Sequence, residues 1–118
     1  MNIVSQAQAL ANYEWGKASQ AWNLVDEENL SIKLELMPAG EKEALHLHQH
    51  AQQFFFILKG AAILEIEGIQ KHLNEQQGIH VRPKQRHRIM NQSSGDLQFI
   101  LCSQPSTSED RINLESYD

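Results

Sequence analysis

The sequence predicts an all-β fold, an antiparallel sandwich or barrel. Three observations predict it: eight or more short segments alternate apolar and polar residues, turn residues separate them at close spacing, and no interior stretch keeps a helical period. At 118 residues the chain has the size of one domain and is long enough to bury a core without disulfides.

Residues 1–20 are polar and rich in alanine and glutamine, with Trp15-Gly16 interrupting any long helix; a short helical turn and then extended chain are expected there. Leu30, Ile32, Leu34 and Leu36 alternate with Ser31, Lys33 and Glu35, the pattern of a half-buried strand, and Met37-Pro38-Ala39-Gly40 turns the chain. His46, Leu47 and His48 sit on the next strand. Phe54–Leu58 follows and ends at Lys59-Gly60; Ala62, Leu64 and Ile66 then alternate with Ile63, Glu65 and Glu67 up to Gly68. Ile69–Leu73 is a short strand, Asn74–Gly78 a loop, and Ile79 and Val81 alternate with His80 and Arg82 before Pro83. His87–Asn91 and Leu97–Cys102 are the last barrel strands, parted by Ser93-Ser94-Gly95-Asp96. The barrel should thus run from about residue 20 to residue 104, with the N-terminal arm and the polar tail Gln104–Asp118 packed outside.

Composition narrows the function. Ten basic against 15 acidic residues give a net charge of −5, which argues against a nucleic-acid binder. The longest apolar run, Phe54–Leu58, is too short to span a bilayer, and the N-terminus lacks the pattern of a signal peptide, so a cytoplasmic protein without membrane partner is expected. Cys102 is the only cysteine, which excludes an internal disulfide and a cysteine-rich zinc cluster. No phosphate-loop, dinucleotide or nucleophile-elbow motif occurs. Histidine is the unusual residue: all six lie from His46 to His87.

His46 and His48, two apart on a strand, point to one face and can reach one metal ion; His87, on a separate strand, can supply a third imidazole from across the barrel. The plainer alternative is a set of solvated or core-lining imidazoles. His50 reads as an exposed turn residue, Gln52 points away from Gln53, His80 has outer-face parity, and His72 is solvated beside a turn.

Gly40–Gly60 reads GEKEALHLHQHAQQFFFILKG and matches the first cupin motif, G-x5-H-x-H-x3,4-E-x6-G, except that Gln53 stands in the glutamate slot. Gln76–Asn91 resembles the second motif, G-x5-P-x-G-x2-H-x3-N. His87 and Asn91 are in place, while Gln76, Arg82 and Lys84 replace Gly, Pro and Gly, with Gly78 and Pro83 nearby but off register. The fifteen residues Ala61–Glu75 fit the spacing of small microbial cupins. The chain therefore resembles the small single-domain members of the cupin superfamily, which implies a double-stranded β-helix, or jelly roll, over residues 1–118.

That resemblance implies a divalent metal (iron, zinc, nickel or manganese) held by His46, His48, Gln53 and His87. An amide oxygen ligates without charge, so the site would be a stronger Lewis acid with weaker metal affinity, and Gln53 cannot serve as a base. The cupin-type polyketide cyclase with a glutamine at its zinc, and three-histidine cupins that oxidise diketones or thiols, resemble this arrangement. Dioxygenase, isomerase or cyclase action on a small-molecule substrate is implied, with catalytic residues unknown. The alternative is a non-catalytic module binding or sensing a sugar or carboxylate, favoured by the lack of a clear acid/base residue.

Two further features carry expectations. Arg82, Lys84, Arg86 and Arg88 read as a solvated loop, or else as an anion-attracting rim. Phe54, Phe56 and Leu58 alternate with Gln53, Phe55 and Ile57, so this strand is apolar on both faces. One face needs cover from the segment around Trp15 and Trp22 or from a second subunit, and a homodimer is expected. Met37, Met90 and Cys102 read as core or near-core.

Overall fold

Residues 1–115 are described by the computed structural model, and they form eleven β-strands with no helix among them. The strands are β1 (Ala11–Trp15), β2 (Ser19–Glu27), β3 (Leu30–Met37), β4 (His46–His48), β5 (Gln52–Lys59), β6 (Ala62–Ile66), β7 (Ile69–Leu73), β8 (Gly78–Val81), β9 (His87–Met90), β10 (Leu97–Gln104) and β11 (Arg111–Asn113). Every pairing is antiparallel. A six-stranded sheet runs β1-β2-β3-β10-β5-β8, and a five-stranded sheet runs β11-β4-β9-β6-β7. Together they make the double-stranded β-helix that the sequence predicts. No helix of the described residues is long and apolar enough to cross a membrane.

The core fills one end of the space between the sheets. Met37, Phe55, Ile57, Leu64, Leu73, Val81, Ile89, Leu97 and Phe99 form one buried cluster, drawn from seven strands. Phe55 and Phe99 pack with ring centroids 5.9 Å apart, so β5 and β10 contribute aromatic area from their inward faces. Met37 and Met90 are buried as expected, and Cys102 is half-buried.

Three expectations need correction. The N-terminal segment makes a turn at Ser5–Gln8 and then runs extended as expected, but it is not an arm packed outside: β1 and β2 form a hairpin, turning at Gly16 with φ 60°, and extend the larger sheet. The tail is no simple wrap either, since β11 adds to the edge of the smaller sheet beside β4; residues 116–118 lie outside the described residues. These strands were missed because a hairpin of mixed polarity and a three-residue strand carry too little periodicity.

The third correction concerns direction. β3 is a half-buried strand, but Lys33 and Glu35 face inward and Ile32, Leu34 and Leu36 face outward. The register shows the outer face plainly: Phe56, Ile100, Leu34 and Trp22 are successive partners across β5, β10, β3 and β2. Phe54, Cys102, Ile32 and Val25 make the next row, and Phe54 is 42% exposed. Trp15 has turned inward against the core, so it does not cover this face.

The second-motif glycine slots keep the glycine conformation without glycine. Gln76 has φ 65° and Lys84 has φ 70°, so the turns are held by left-handed residues and not by a shift onto Gly78 and Pro83. Gly60 is different: φ is +90° and a Cβ there would stand 2.6 Å from the Asp96 carbonyl oxygen. Urea denaturation should therefore find Lys84→Gly stabilised by about 0.5–1 kcal/mol and Gly60→Ala destabilised by about 2 kcal/mol. Equal midpoints for parent and both variants would contradict this account of the turns.

Candidate metal centre

β4 and β9 pair through one residue couple, His46 opposite His87, and side chains opposite each other in a ladder share a face. His48, two along β4, joins them. The three imidazoles are buried, with ring centroids 4.3, 5.0 and 5.8 Å apart pairwise, and one nitrogen of each lies within 4.8 Å of the others. Gln53 reaches the same point from the opposite sheet, its Oε1 3.0 Å from His87 Nε2. All four predicted residues thus come together. His50, His72 and His80 are exposed, as expected, and Gln52 faces outward to His80 and Gln104.

Backbone carbonyls fix the tautomers. His46 Nδ1 lies 2.8 Å from the Ala44 oxygen and His87 Nδ1 lies 2.9 Å from the Gln85 oxygen. A carbonyl only accepts, so each Nδ1 carries the proton and each Nε2 presents a lone pair. Gln53 donates its amide nitrogen to Ser103 Oγ at 3.0 Å, which leaves its oxygen toward His87. In this amide orientation two acceptors face each other at 3.0 Å, an arrangement that a cation held by both would relieve. A proton on His87 is disfavoured, because burial and then His46 push its pKa down to about 4. Burial likewise takes His46 to about 4, and burial followed by the neighbouring His46 takes His48 to about 3. Neutral imidazoles are the form that binds metals, and His48 Nδ1 is buried without a hydrogen-bond partner. The donor set fits a divalent metal.

The loop after β4 is built to hold the site. The Asp110 carboxylate accepts the N–H groups of Gln49, His50 and Ala51 at 2.9–3.2 Å. Burial opposes its ionisation, yet those three bonds prevail and keep the carboxyl below its ordinary range. Lys84 N–H donates to the His48 carbonyl at 2.7 Å, so the left-handed turn before β9 fastens β4 from the other side.

A cavity of about 190 Å³ opens beside the histidines, lined among others by Tyr13, Trp15, Lys33, Glu35, Glu43 and Arg111. Of these only Trp15 was singled out by sequence reasoning, and then as cover for the outer face; the expectation that the site has no clear acid/base residue is corrected here, since two carboxyl groups line it. Burial, then the Glu43 charge, push Glu35 up to about 8. The Trp15 indole N–H is close enough to offset part of that rise but makes no well-formed hydrogen bond. Glu43 is raised by burial against the pull of Arg111, whose guanidinium stands 3.2 Å away. The signal available was the parity of Lys33 and Glu35, which shared a face opposite the leucines.

The loop cations play another part. Arg86 pairs with Glu67 at 3.0 Å, and Arg88 with Glu65 at 3.1 Å and Glu115 at 2.9 Å; neither these nor Arg82 and Lys84 line the cavity. The solvated-loop alternative describes Arg82, Lys84 and Arg86, whereas Arg88 is half-buried on β9 in its two ion pairs; the cations at the cavity are Lys33 and Arg111.

The family model described as Cupin domain matches residues 33–103. The chain is 26% identical over 80 residues to an uncharacterized protein of Methanocaldococcus jannaschii, covering 68% of this chain and 64% of that protein, so it spans just under two thirds of that relative. Its fold is similar to that of an uncharacterized conserved protein with a double-stranded β-helix domain from Klebsiella pneumoniae. That likeness has a TM-score of 0.80 at 19% identity, over 98% of this chain and 99% of the other. An RmlC-like cupin from Shewanella frigidimarina gives a TM-score of 0.81 at 16% identity, over 92% and 95%.

The buried titrating groups set a pH optimum for the metal-stripped protein. Histidines depressed toward 3–4 give stability that is present above pH 6.5 and lost as pH falls through those values. Glu35, raised to about 8, gives stability that is present below pH 4.5 and lost as pH rises to 8. Melting temperature should accordingly peak at about pH 6.5 and decline toward pH 8, and Glu35→Gln should shrink that decline. A parent flat from pH 6.5 to 8 would contradict the assignment.

Proposed function

The chain belongs to the cupin family, and from that premise we propose that its barrel holds one divalent metal ion on His46, His48, Gln53 and His87 and binds a small oxygen-bearing molecule beside it. The observation that carries this reading is the buried convergence of His46, His48 and His87, one nitrogen of each within 4.8 Å of the others, with Gln53 Oε1 3.0 Å from His87 Nε2. Ser103 and the Gln85 carbonyl hold both acceptors in place. A metal there would act as a Lewis acid toward a substrate oxygen. The protein's own part is to keep the imidazoles neutral, to bury them, and to present the cavity as the approach. Glu35 and Glu43 add groups able to hold or move a proton next to it, which supports small-molecule chemistry of the isomerase, cyclase or dioxygenase type.

A second reading, the metal-free binding module, has one observation in its favour. With the Gln53 amide turned over, its N–H would donate to His87 Nε2 and its oxygen would accept from the Ser103 hydroxyl, satisfying both partners without an ion. Metal analysis of protein purified without an affinity tag decides between the two. On the metal reading about one equivalent is found. Titration then shows His48→Ala weakened by more than about a hundredfold, Gln53→Glu tightened by about tenfold, and His72→Ala unchanged. A parent that takes up no metal, or a His48→Ala variant that binds like the parent, leaves the binding module.

The outer face of the six-stranded sheet belongs to the same proposal. Its rows of Phe, Ile, Leu and Trp across four strands are the composition of an interface core, and a homodimer closed over them removes that area from water. Light scattering at micromolar concentration should give twice the chain mass of 13.5 kDa, and Leu34→Glu should give the single mass. A parent that stays monomeric would refute the dimer.

A further inference from the structure

The cavity beside the histidines is chemically one-sided. Lys33 places its ammonium 2.7 Å from the Tyr13 hydroxyl and 5.3 Å over that ring, and it has no ion pair among the described residues. Arg111 is already committed to Glu43. The Trp15 indole N–H is buried and lacks a well-formed acceptor. Glu35 is 6% exposed on the same strand as Lys33 and is held neutral through pH 7 by burial and by Glu43. An ammonium without an ion pair among the described residues and several donors thus face a space of about 190 Å³, roughly six waters' worth. Such a lining is complementary to an anion rich in acceptors, of about six to eight non-hydrogen atoms.

We propose that this cavity is the binding site of a small carboxylate anion, with Lys33 as its counter-ion and Glu35 as a hydrogen-bond donor to it. The proposal deepens the reading of the barrel as a small-molecule site and rests on it for the location, but not for the metal. Lys33 acts as the charged anchor, oriented by Tyr13, and the Glu35 hydroxyl gives a donor where an ionised carboxylate would repel the ligand. The other charged or titratable groups lining this space are Tyr13 from β1, Glu43 ahead of β4, His46 and His48 from β4, and Arg111 from β11. The imidazoles are neutral near pH 7, and Glu43, also raised by burial, is paired with Arg111, so the Glu35→Gln variant is what separates the titration of Glu35 from that of Glu43.

The test uses the full chain, metal-loaded and metal-stripped, with pyruvate as the charged probe and pyruvamide as its uncharged counterpart, titrated calorimetrically at pH 6.5 and 9. Pyruvate should bind at least about tenfold more tightly than pyruvamide at pH 6.5. Lys33→Met should cost pyruvate about tenfold and leave pyruvamide unchanged, with Lys33→Gln read the same way if the methionine variant does not fold. Pyruvate affinity of the parent should fall about tenfold from pH 6.5 to pH 9, and Glu35→Gln should lose that fall. Equal binding of pyruvate and pyruvamide, or a Lys33→Met variant as tight as the parent, overturns the proposal. So does a pH fall that persists in Glu35→Gln, which would assign it to another group. Metal content of the same samples separates the two readings. Lys33-dependent pyruvate binding in a chain that takes no metal supports the anion site alone, whereas metal uptake without charge discrimination refutes the anion site alone.

Discussion

The candidate site depends on one register. His46 stands opposite His87 across β4 and β9, and a slip of one residue in either strand would carry an imidazole from the interior to solvent. So short a pairing cannot hold its register alone, since β4 has three residues and β9 four. Neighbours fix it: Asp110 gathers the N–H groups after His48, Lys84 N–H takes the His48 carbonyl, and β6 pins β9 through four residue pairs. Once the register is set, the carbonyls of Ala44 and Gln85 decide which nitrogen of each ring is available. Geometry and protonation thus follow from the same few backbone contacts.

The two ends of the barrel have opposite characters, and each depends on the other. At one end nine apolar side chains and Ala62 form one packed cluster. At the other, three imidazoles, two carboxyls and an amide are buried or nearly so, which costs free energy unless each finds a partner. The apolar end supplies the stability that lets the polar end exist. The outward turn of Ile32, Leu34 and Leu36 follows from this division. β3 crosses the polar end, so its charged residues have an interior use and its aliphatic ones are left for the outer face.

Much of this was legible in the sequence. Strand parity made candidates of His46, His48 and His87, the resemblance to the cupin motif added Gln53, and turn residues marked β3 to β10 closely. The direction of β3 was not legible, because alternation states which residues share a face and not which face is inside. Lys33 and Glu35 were passed over for that reason. β1 and β11 exist through pairing with distant strands, a tertiary effect that five and three residues of local pattern do not encode. The glycine-like turns at Gln76 and Lys84 were hidden by side chains that rarely take that conformation; only the match of position to motif hinted at them.

Asp110 lies 59 to 61 residues beyond the backbone groups it secures. A polypeptide leaving the ribosome exposes His46 and His48 long before that carboxylate is synthesised. Until β11 has emerged and docked on β4, the loop after His48 lacks its anchor and the edge of the smaller sheet stays open. Assembly of the imidazole cluster is therefore a late, non-local event in the life of each newly made chain, bound to the slow closure of distant strands rather than to the early formation of hairpins.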